Sequence, residues 1–410
     1  MGLWTALQSL GHHEAVVVPN PRGGSSASAC TALWANFEEY RRAGLIKPFH
    51  VRRSPYRCRM YAMGGYIIKE YSGARQKVES EIRILQQLGH EGLISYELTA
   101  DEGSRISIVM AWAGTPLREH RLAHPDEYSE DTARHMAHQL ASALAFLHAR
   151  GIVHRDIKPD NLGVAADQRL RLFDWGEAVT LAEVADMGDR ELSRRVGVAG
   201  TPAFMPPESL CHLTHRPSDD GGGNRGADED GVPGLRATLG PALDVWGLGT
   251  VVYFLLAGRD IIADGSDYEL EELADIIDCS SGVGLPEGTA ASYAARDFLA
   301  RCLERCPGRR AAAGELLSHP WLRGAATRAE VEAARESARK AEAAAMRRSA
   351  SGRLLRSASS SSMRRTLSGK LAPLGAGDAG PPLVDGAATC EVTVRMKPSG
   401  SRTSLGRGGV

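Results

Sequence analysis

The sequence has almost no net charge and contains no long uninterrupted apolar run. A formal charge of −1 over 410 residues provides no overall electrostatic attraction to nucleic acid or to an anionic membrane surface. The longest apolar stretch, residues Val245 to Ala257, is interrupted by glycines and falls short of the about 20 residues that a membrane-spanning helix needs. We therefore expect a protein without a membrane span and without nucleic acid as a partner.

Cysteine is likewise too scattered to form a disulfide framework. The seven cysteines are Cys30, Cys58, Cys211, Cys279, Cys302, Cys306 and Cys390. Cys302 and Cys306 lie one helical step apart, but no second cysteine or histidine pair completes a metal site. No secretory signal is visible, because His12, His13 and Glu14 interrupt the first apolar residues. These absences favour reduced thiols in an intracellular protein, cytoplasmic or nuclear.

Composition divides the chain into four regions. Residues 1–44 mix Gly, Ser and Pro and predict a partly disordered amino-terminal extension, while residues 45–113 show short strand-like runs such as "YIIKEY" and "ISIVMAW". Residues 114–323 are mainly helical in pattern, apart from a Gly- and Asp-rich stretch at 215–240 that predicts a disordered insertion. Residues 324–410 begin with an Ala/Glu/Arg helix and continue as a Ser/Arg/Gly-rich disordered tail.

The segment "GIVHRDIKPDN" at 151–161 places several polar side chains in one predicted loop after a long helix. A second loop, in "LRLFDWGEA", presents Asp174. Asp156, Asn161 and Asp174 together could share a divalent metal and a substrate hydroxyl, because Mg²⁺ prefers hard oxygen ligands beside phosphates. Phosphoryl transfer requires mainly positioning and neutralisation of charge. The two loops therefore indicate metal-assisted phosphoryl transfer.

Five segments in order resemble the eukaryotic protein kinases, over about residues 45–323. They are "HRDIKPDN", "DWG", "GTPAFMPPE", "DVWGLG" and "PGRRAAAGELLSHPW". The resemblance implies an α+β bilobal kinase fold, with a small mainly β amino-terminal lobe and a larger mainly α carboxy-terminal lobe. A lysine at Lys158 and the pair Gly200-Thr201 are similar to the serine/threonine branch. Protein substrates, ATP and Mg²⁺ follow from the same resemblance.

The resemblance assigns roles to residues of the two loops. It implies that Asp156 is the catalytic base, that Lys158 steadies the transferring phosphate, and that Asn161 and Asp174 are the metal ligands. Trp175, which follows Asp174, stands where Phe is commoner and is implied to be a buried spine residue.

Further roles follow for residues outside these loops. Lys69 in "YIIKEY" fits the lysine that holds the α- and β-phosphates, and Glu81 fits its helix partner. For Lys69, an edge-strand lysine facing water is the alternative. Glu208 matches an acid that pairs with a buried arginine, for which Arg310 is the candidate, and Asp244 matches a residue that braces the catalytic loop.

The implied adenine pocket departs from the usual pattern at two positions. Ile67 stands where Ala is usual, and Gly163 stands where a larger apolar residue is usual, so the slot could keep its volume while shifting. Met110 fits the gatekeeper position, with Ala111 to Ala113 as the hinge.

The glycine-rich loop that covers the phosphates in the family is missing, since the chain reads "HVRRSPYRCRMYAM" there. Pro55 donates no backbone N–H to a phosphate, whereas Arg52 or Arg53 could supply side-chain charge or simply face water. Two functions therefore stay open. One is a serine/threonine kinase that uses MgATP, and the other is a pseudokinase or scaffold with weak nucleotide binding.

The carboxy-terminal tail carries three Arg-x-x-Ser sequences, which make Ser351, Ser359 and Ser368 candidate phosphorylation sites. Each phosphate would add about −1.5 to −2 charge and could create a site for phospho-dependent partners. A solvated low-complexity tail is the alternative. The helix predicted at 327–347 could be an autoinhibitory arm, with Val331 and Met346 as its large apolar side chains.

Overall fold

The computed structural model describes most of the region that resembles a kinase. The described residues are 16–23, 25–52, 57–73, 75–214, 235–262, 268–279 and 283–334, together with 336, 337 and 340. Among them, no helix combines the length and apolar character that crossing a bilayer requires. The cysteines in this part whose side chains are described are free thiols: Cys30, Cys58, Cys211, Cys302 and Cys306.

The amino-terminal lobe is built on a six-stranded antiparallel sheet with the order β1-β5-β6-β4-β3-β2. Its strands are β1 (Val16–Pro19), β2 (His50–Arg52), β3 (Arg57–Met63), β4 (Tyr66–Ser72), β5 (Tyr96–Asp101) and β6 (Arg105–Ala111). Gly64 and Gly65 join β3 to β4 in a two-residue turn, and both have positive φ, as a tight hairpin turn of this kind requires. The register places Lys69 of β4 between Met60 and Ile108.

Two helices pack on the sheet of this lobe, α1 (Ala27–Arg42) and α2 (Arg75–Leu85). Successive side chains of a strand point to opposite faces. Ile68 accordingly joins the cluster that contains Trp34 and Phe37 of α1, whereas Ile67 joins the main core, which includes the buried side chains of α2.

This arrangement corrects the expected amino-terminal boundary. Residues 1–44 were expected to form an extension outside the small lobe, but β1 pairs with β5 and α1 packs on the sheet. The pairing was not evident from sequence because β1 is four residues long and its partner lies about eighty residues later in the chain. Residues 1–15 lie outside the described residues.

The carboxy-terminal lobe is mainly helical. Its helices are α3 (Leu117–Ala123), α4 (Glu130–His148), α5 (Leu181–Ala185), α6 (Asp189–Arg195), α7 (Pro207–Thr214), α8 (Ala242–Ala257), α9 (Leu270–Cys279), α10 (Tyr293–Cys302) and α11 (Ala313–Leu316). Helix α8 is buried along almost its whole length, which explains the longest apolar run of the sequence.

Two small sheets flank the loops of interest. One contains β7 (Thr115–Pro116), β9 (Leu162–Val164) and β10 (Leu170–Leu172), and the other pairs β8 (Ile152–Val153) with β11 (Val179–Thr180). The bilobal kinase fold that the resemblance implied is therefore confirmed.

The stretch expected to be a disordered insertion, residues 215–240, includes residues that belong to the folded lobe. Residues 215–234 lie outside the described residues, but Leu235–Leu239 forms a 3-10 helix. Its leucines at both ends are buried in a cluster with Val184 and Leu192. Leu235, Thr238 and Leu239 are all buried, which the Gly- and Asp-rich composition of the preceding residues concealed.

The boundary after the large lobe also differs from the expected one. Residues 328–334 are helical, and Val331 is completely buried in the main core. The helix predicted after residue 324 thus begins as a packed part of the lobe. The three candidate phosphorylation sites of the tail lie outside the described residues.

Candidate active site

Lys69, Glu81 and Asp174 meet in the cleft between the lobes. The Nζ atom of Lys69 lies 3.3 Å from Oε1 of Glu81 and 2.7 Å from Oδ1 of Asp174. Glu81 reaches the cleft because α2 buries Val78 and Ile82 on the same side of the helix. Lys69 is 5% exposed and lies on β4, an inner strand of the sheet. The alternative of an edge-strand lysine facing water is therefore wrong.

The charges of this group reinforce one another. Burial alone would lower the pKa of Lys69, but the nearby carboxylates of Asp174 and Glu81 raise it above its usual range. The charge of the same ammonium group and its hydrogen bond lower the pKa of Asp174. Asp174 has φ +67°, an uncommon backbone conformation for a residue with a side chain, and about half of its side chain is exposed. The cleft thus presents a fixed cation beside an accessible carboxylate.

Asp156 is held by groups from two segments of the chain. Its Oδ2 atom accepts from Lys158 Nζ at 2.7 Å and from Asn161 Nδ2 at 2.9 Å. Its Oδ1 atom accepts from the backbone N–H and the hydroxyl of Thr201, both at 3.0 Å. The carboxylate therefore has a defined orientation at the junction of the two segments.

Asn161 is positioned by the same network. Its Nδ2 atom donates to the backbone oxygen of Asp156 at 2.8 Å as well as to the Asp156 carboxylate, which leaves the amide oxygen as the ligand that Asn161 can offer. The backbone N–H of Phe173 donates to the backbone oxygen of Asn161 at 3.0 Å. Asp174 consequently follows a residue that is bonded to Asn161, so the two expected metal ligands lie on adjoining segments.

Asp244 of α8 holds the backbone of the loop that contains Asp156. This carboxylate is completely buried and accepts from the backbone N–H groups of His154 at 2.9 Å and Arg155 at 2.8 Å. His148 provides a third partner through Nε2 at 2.9 Å. The expected bracing role of Asp244 is confirmed by these contacts.

Trp175 is buried behind the loop, at 1% exposure. Its ring lies 4.8 Å from the His154 ring in an edge-on arrangement, and His154 Nε2 lies 3.1 Å from the backbone oxygen of Phe173. The tryptophan is accommodated as part of the core, as the sequence indicated.

The hinge has a closer contact with the large lobe than the sequence suggested. Ile67 pairs with Met110 across β4 and β6, and both side chains are buried. A Cβ atom on Gly163 would lie 2.5 Å from the backbone oxygen of Ala113. Residue 163 must therefore be glycine, because the hinge backbone lies too close for a Cβ atom. The expectation that the slot keeps its volume while shifting stays a prediction, and this contact adds a second reason for glycine at residue 163.

The other hinge contacts are made by the backbone. The N–H of Ala111 donates to Ser95 at 2.9 Å, and the N–H of Trp112 donates to Gly65 at 2.8 Å. The connection between β2 and β3, where the family has its glycine-rich loop, includes residues 53–56, which lie outside the described residues. The flanking strands pair as far as Arg52 opposite Cys58.

Two residues that form contacts around the site, Tyr71 and Arg118, were missed by sequence reasoning. Tyr71 donates its hydroxyl to Oε2 of Glu81 at 2.8 Å; its place two residues after Lys69 on a strand was the available signal, since such residues share a face. Arg118 of α3 bonds both carboxylate oxygens of Asp160, at 2.8 and 2.9 Å, and also contacts Asp260 at 2.8 Å. No motif marked Arg118, because its partners are distant in sequence.

The sequence is similar to known protein kinases. The family model for the protein kinase domain matches residues 57–322. Calcium/calmodulin-dependent protein kinase type 1B of Rattus norvegicus is 29% identical over 260 residues, which are 62% of this chain and 65% of the relative. Calcium/calmodulin-dependent protein kinase type 1 of Caenorhabditis elegans is 28% identical over 268 residues, 65% of this chain and 67% of the relative.

A serine/threonine-protein kinase of Drosophila melanogaster is 28% identical over 260 residues, 62% of this chain but 30% of the relative. The chain thus spans 65% of the length of the rat relative. Since the family model covers more than half of the sequence, the chain belongs to the protein kinase family, in its serine/threonine branch.

Proposed function

We propose that this protein is a serine/threonine protein kinase that transfers the γ-phosphate of ATP to hydroxyl groups of protein substrates. The observation that carries the proposal is the joint arrangement of Lys69 with Glu81 and Asp174, opposite an Asp156 carboxylate oriented by Thr201. A site that lacked one of these side chains, or held it away from the others, would favour a scaffold. Here Lys69 contacts both Glu81 and Asp174, and the Asp156 carboxylate is oriented.

In the proposed mechanism, Asp156 accepts the proton of the substrate hydroxyl as its oxygen forms a bond to the γ-phosphorus. The bond between that phosphorus and the β–γ bridging oxygen breaks, and ADP leaves with the electron pair. Lys69 holds the α- and β-phosphates through its charge, and Lys158 lies within reach of both Asp156 and Thr201, where it steadies the transferring group.

The donor atoms fit Mg²⁺. Asp174 offers a carboxylate oxygen that Lys69 does not use, and Asn161 offers an amide oxygen, both hard ligands of the kind that Mg²⁺ takes together with water and substrate phosphates. When bound, the ion neutralises charge that develops on the phosphates. We assign Asn161 and Asp174 as its protein ligands.

The adenine ring is proposed to bind against the hinge. Ile67 and Met110 form one wall by their pairing on neighbouring strands. The backbone of Ala111 and Ala113 offers hydrogen-bonding groups, and Gly163 forms the opposite wall where β9 approaches the hinge. This assignment places the phosphates toward Lys69.

The first prediction concerns the base. Asp156→Asn should lower phosphate transfer by about 10²–10⁴-fold, because the proton acceptor is lost, while the thermal shift with MgATP is retained. Transfer is measured as labelled phosphate on a protein substrate. Asp167→Asn, the same change in an exposed turn, is the control and should leave transfer unchanged.

Two results would contradict these assignments. Full activity of Asp156→Asn would show that Asp156 is not the base. Wild-type protein that shows neither a thermal shift with MgATP nor phosphate transfer would favour the scaffold alternative.

Asp174→Ala tests the metal assignment. In a Mg²⁺ titration of phosphate transfer, this variant should need a higher Mg²⁺ concentration and should also have a lower maximal rate.

A further inference from the structure

Tyr71 contacts the side chain that pairs with the phosphate-binding lysine. It lies on β4 two residues after Lys69 and is 4% exposed. Its hydroxyl donates to Oε2 of Glu81 at 2.8 Å, whereas Lys69 approaches the other oxygen, Oε1, at 3.3 Å. Both oxygens of one carboxylate are therefore engaged by side chains from one strand.

The two distances indicate which contact holds Glu81 more firmly. Charge-assisted hydrogen bonds between an ammonium and a carboxylate usually lie near 2.7–2.9 Å. The shorter contact of Lys69 is to Asp174, at 2.7 Å, and its contact with Glu81 is longer by 0.6 Å. The shorter contact of Glu81 is thus the one from Tyr71.

A carboxylate held through one oxygen can still turn about its last torsion angle, which is broad in glutamate. A second bond to the other oxygen removes that freedom and also fixes the turn of α2 that carries Glu81. Burial and the neighbouring Glu81 carboxylate raise the pKa of Tyr71, so its hydroxyl keeps the proton that it donates.

Two ion pairs tie α2 to the large lobe, and both are more exposed than the contact between Tyr71 and Glu81. Lys77 meets Glu177 at 2.9 Å and Arg83 meets Glu183 at 3.1 Å, and in each pair both side chains are at least 29% exposed. Ion pairs this exposed contribute little to stability. The contact made by Tyr71 is buried.

Given the proposed kinase function, we propose that Tyr71 is a positioning residue for phosphate binding. Its hydroxyl holds Glu81, and with it α2, in the place from which Glu81 aims Lys69 at the nucleotide. Tyr71 does not contact the reacting atoms in this scheme. Its effect reaches ATP through Glu81.

The test is Tyr71→Phe, which removes the hydroxyl and keeps the ring. We expect kcat/KM for ATP to fall about tenfold or more, since a hydrogen bond to a charged group is lost, while KM for the protein substrate stays unchanged. The matched control is Tyr61→Phe. Tyr61 is equally buried, at 4% exposure, but its ring packs with α1 away from the cleft, and its kinetic constants should not change.

A double-mutant cycle separates positioning from simple packing. Glu81→Ala should itself reduce kcat/KM for ATP, and adding Tyr71→Phe to that variant should cause little further loss, because the carboxylate that accepts from Tyr71 is already absent. Independent, additive losses would assign Tyr71 a purely structural role and overturn the inference.

The outcomes distinguish this inference from the proposed function. An active wild-type enzyme with an equally active Tyr71→Phe variant overturns the role of Tyr71 alone. A wild-type protein that neither binds MgATP, measured by titration, nor transfers phosphate overturns the proposed function and the role of Tyr71 with it.

Discussion

Buried charges at the residue scale are matched by partners within hydrogen-bonding distance. Glu208 and Arg310 form a bidentate pair with distances of 2.7 and 3.0 Å, and both side chains are almost fully buried. Arg310 also donates to the backbone oxygen of Ala242 and lies 5.2 Å from the centre of the Trp246 ring. The pair was predicted from the resemblance, and the contacts confirm it. Because burying a lone charge is costly, each side chain offsets the cost of burying the charge of the other.

Arg310→Ala should lower the free energy of unfolding by about 3–5 kcal/mol, because Glu208 would be left as a buried carboxylate without its cation. Chemical denaturation monitored by tryptophan fluorescence measures this change. Arg309→Ala is the control, since Arg309 is 74% exposed and pairs with Glu304 at the surface; it should change stability by less than about 1 kcal/mol. Equal effects of the two substitutions would contradict the structural role of the pair.

At the element scale, β1 and α1 complete the small lobe. The outer face of the sheet carries Ile68 and Val109, which would face water without α1. Glu70, beside Lys69 on β4 but 2% exposed, is approached by Arg41 of α1, by Arg59 and by Arg105. The helix therefore stabilises the strand that carries Lys69, from the face opposite the cleft.

Trp34→Ala should reduce the free energy of unfolding by about 3–5 kcal/mol, the usual cost of removing a large buried ring. Trp34 is 5% exposed and lies 5.1 Å from the Phe37 ring. Tyr40→Ala on the same helix is the control, because Tyr40 is 43% exposed and surface changes are usually within about 0.5 kcal/mol. If Trp34→Ala left the melting temperature unchanged, α1 would not be an integral part of the lobe.

At the scale of the whole molecule, the folded unit extends beyond the kinase motifs at its carboxy-terminal side. Thr327 and Glu330 begin a short helix by bonding each other's backbone and side-chain groups, and Val331 follows in the core. Arg328 lies 5.9 Å from the centre of the Tyr293 ring. The start of this helix therefore stabilises the large lobe, while an autoinhibitory role for the rest of it stays a prediction.

Truncation after residue 325 should consequently destabilise the protein relative to truncation after residue 340. Loss of the buried Val331 side chain corresponds to about 1.5–3 kcal/mol, which thermal unfolding of the two truncated proteins would detect as a lower melting temperature. Val331→Ala in the longer protein should reproduce part of the difference. Identical melting temperatures for both truncated forms would mean that the domain ends before residue 326.

The local motifs were sufficient to predict several residues that the structure brings together. Lys158, Asp156 and Asn161 are within six residues of one another, so one loop had to hold them. Lys69 and Glu81 were assigned by the resemblance, and the structure pairs them at 3.3 Å. The helical pattern that buries Val78 and Ile82 agrees with an inward-facing Glu81.

Contacts between distant segments were decided only by the tertiary structure. The sequence could not show that Tyr71 shares the Glu81 carboxylate with Lys69, or that Arg118 holds Asp160, because neither contact belongs to a motif. Gly163 is a glycine because the hinge backbone at Ala113 approaches it. Likewise β1 joins β5 across about eighty residues. Sequence periodicity states which face of an element is apolar, but the element that covers that face is selected by packing and hydrogen bonding in the folded chain.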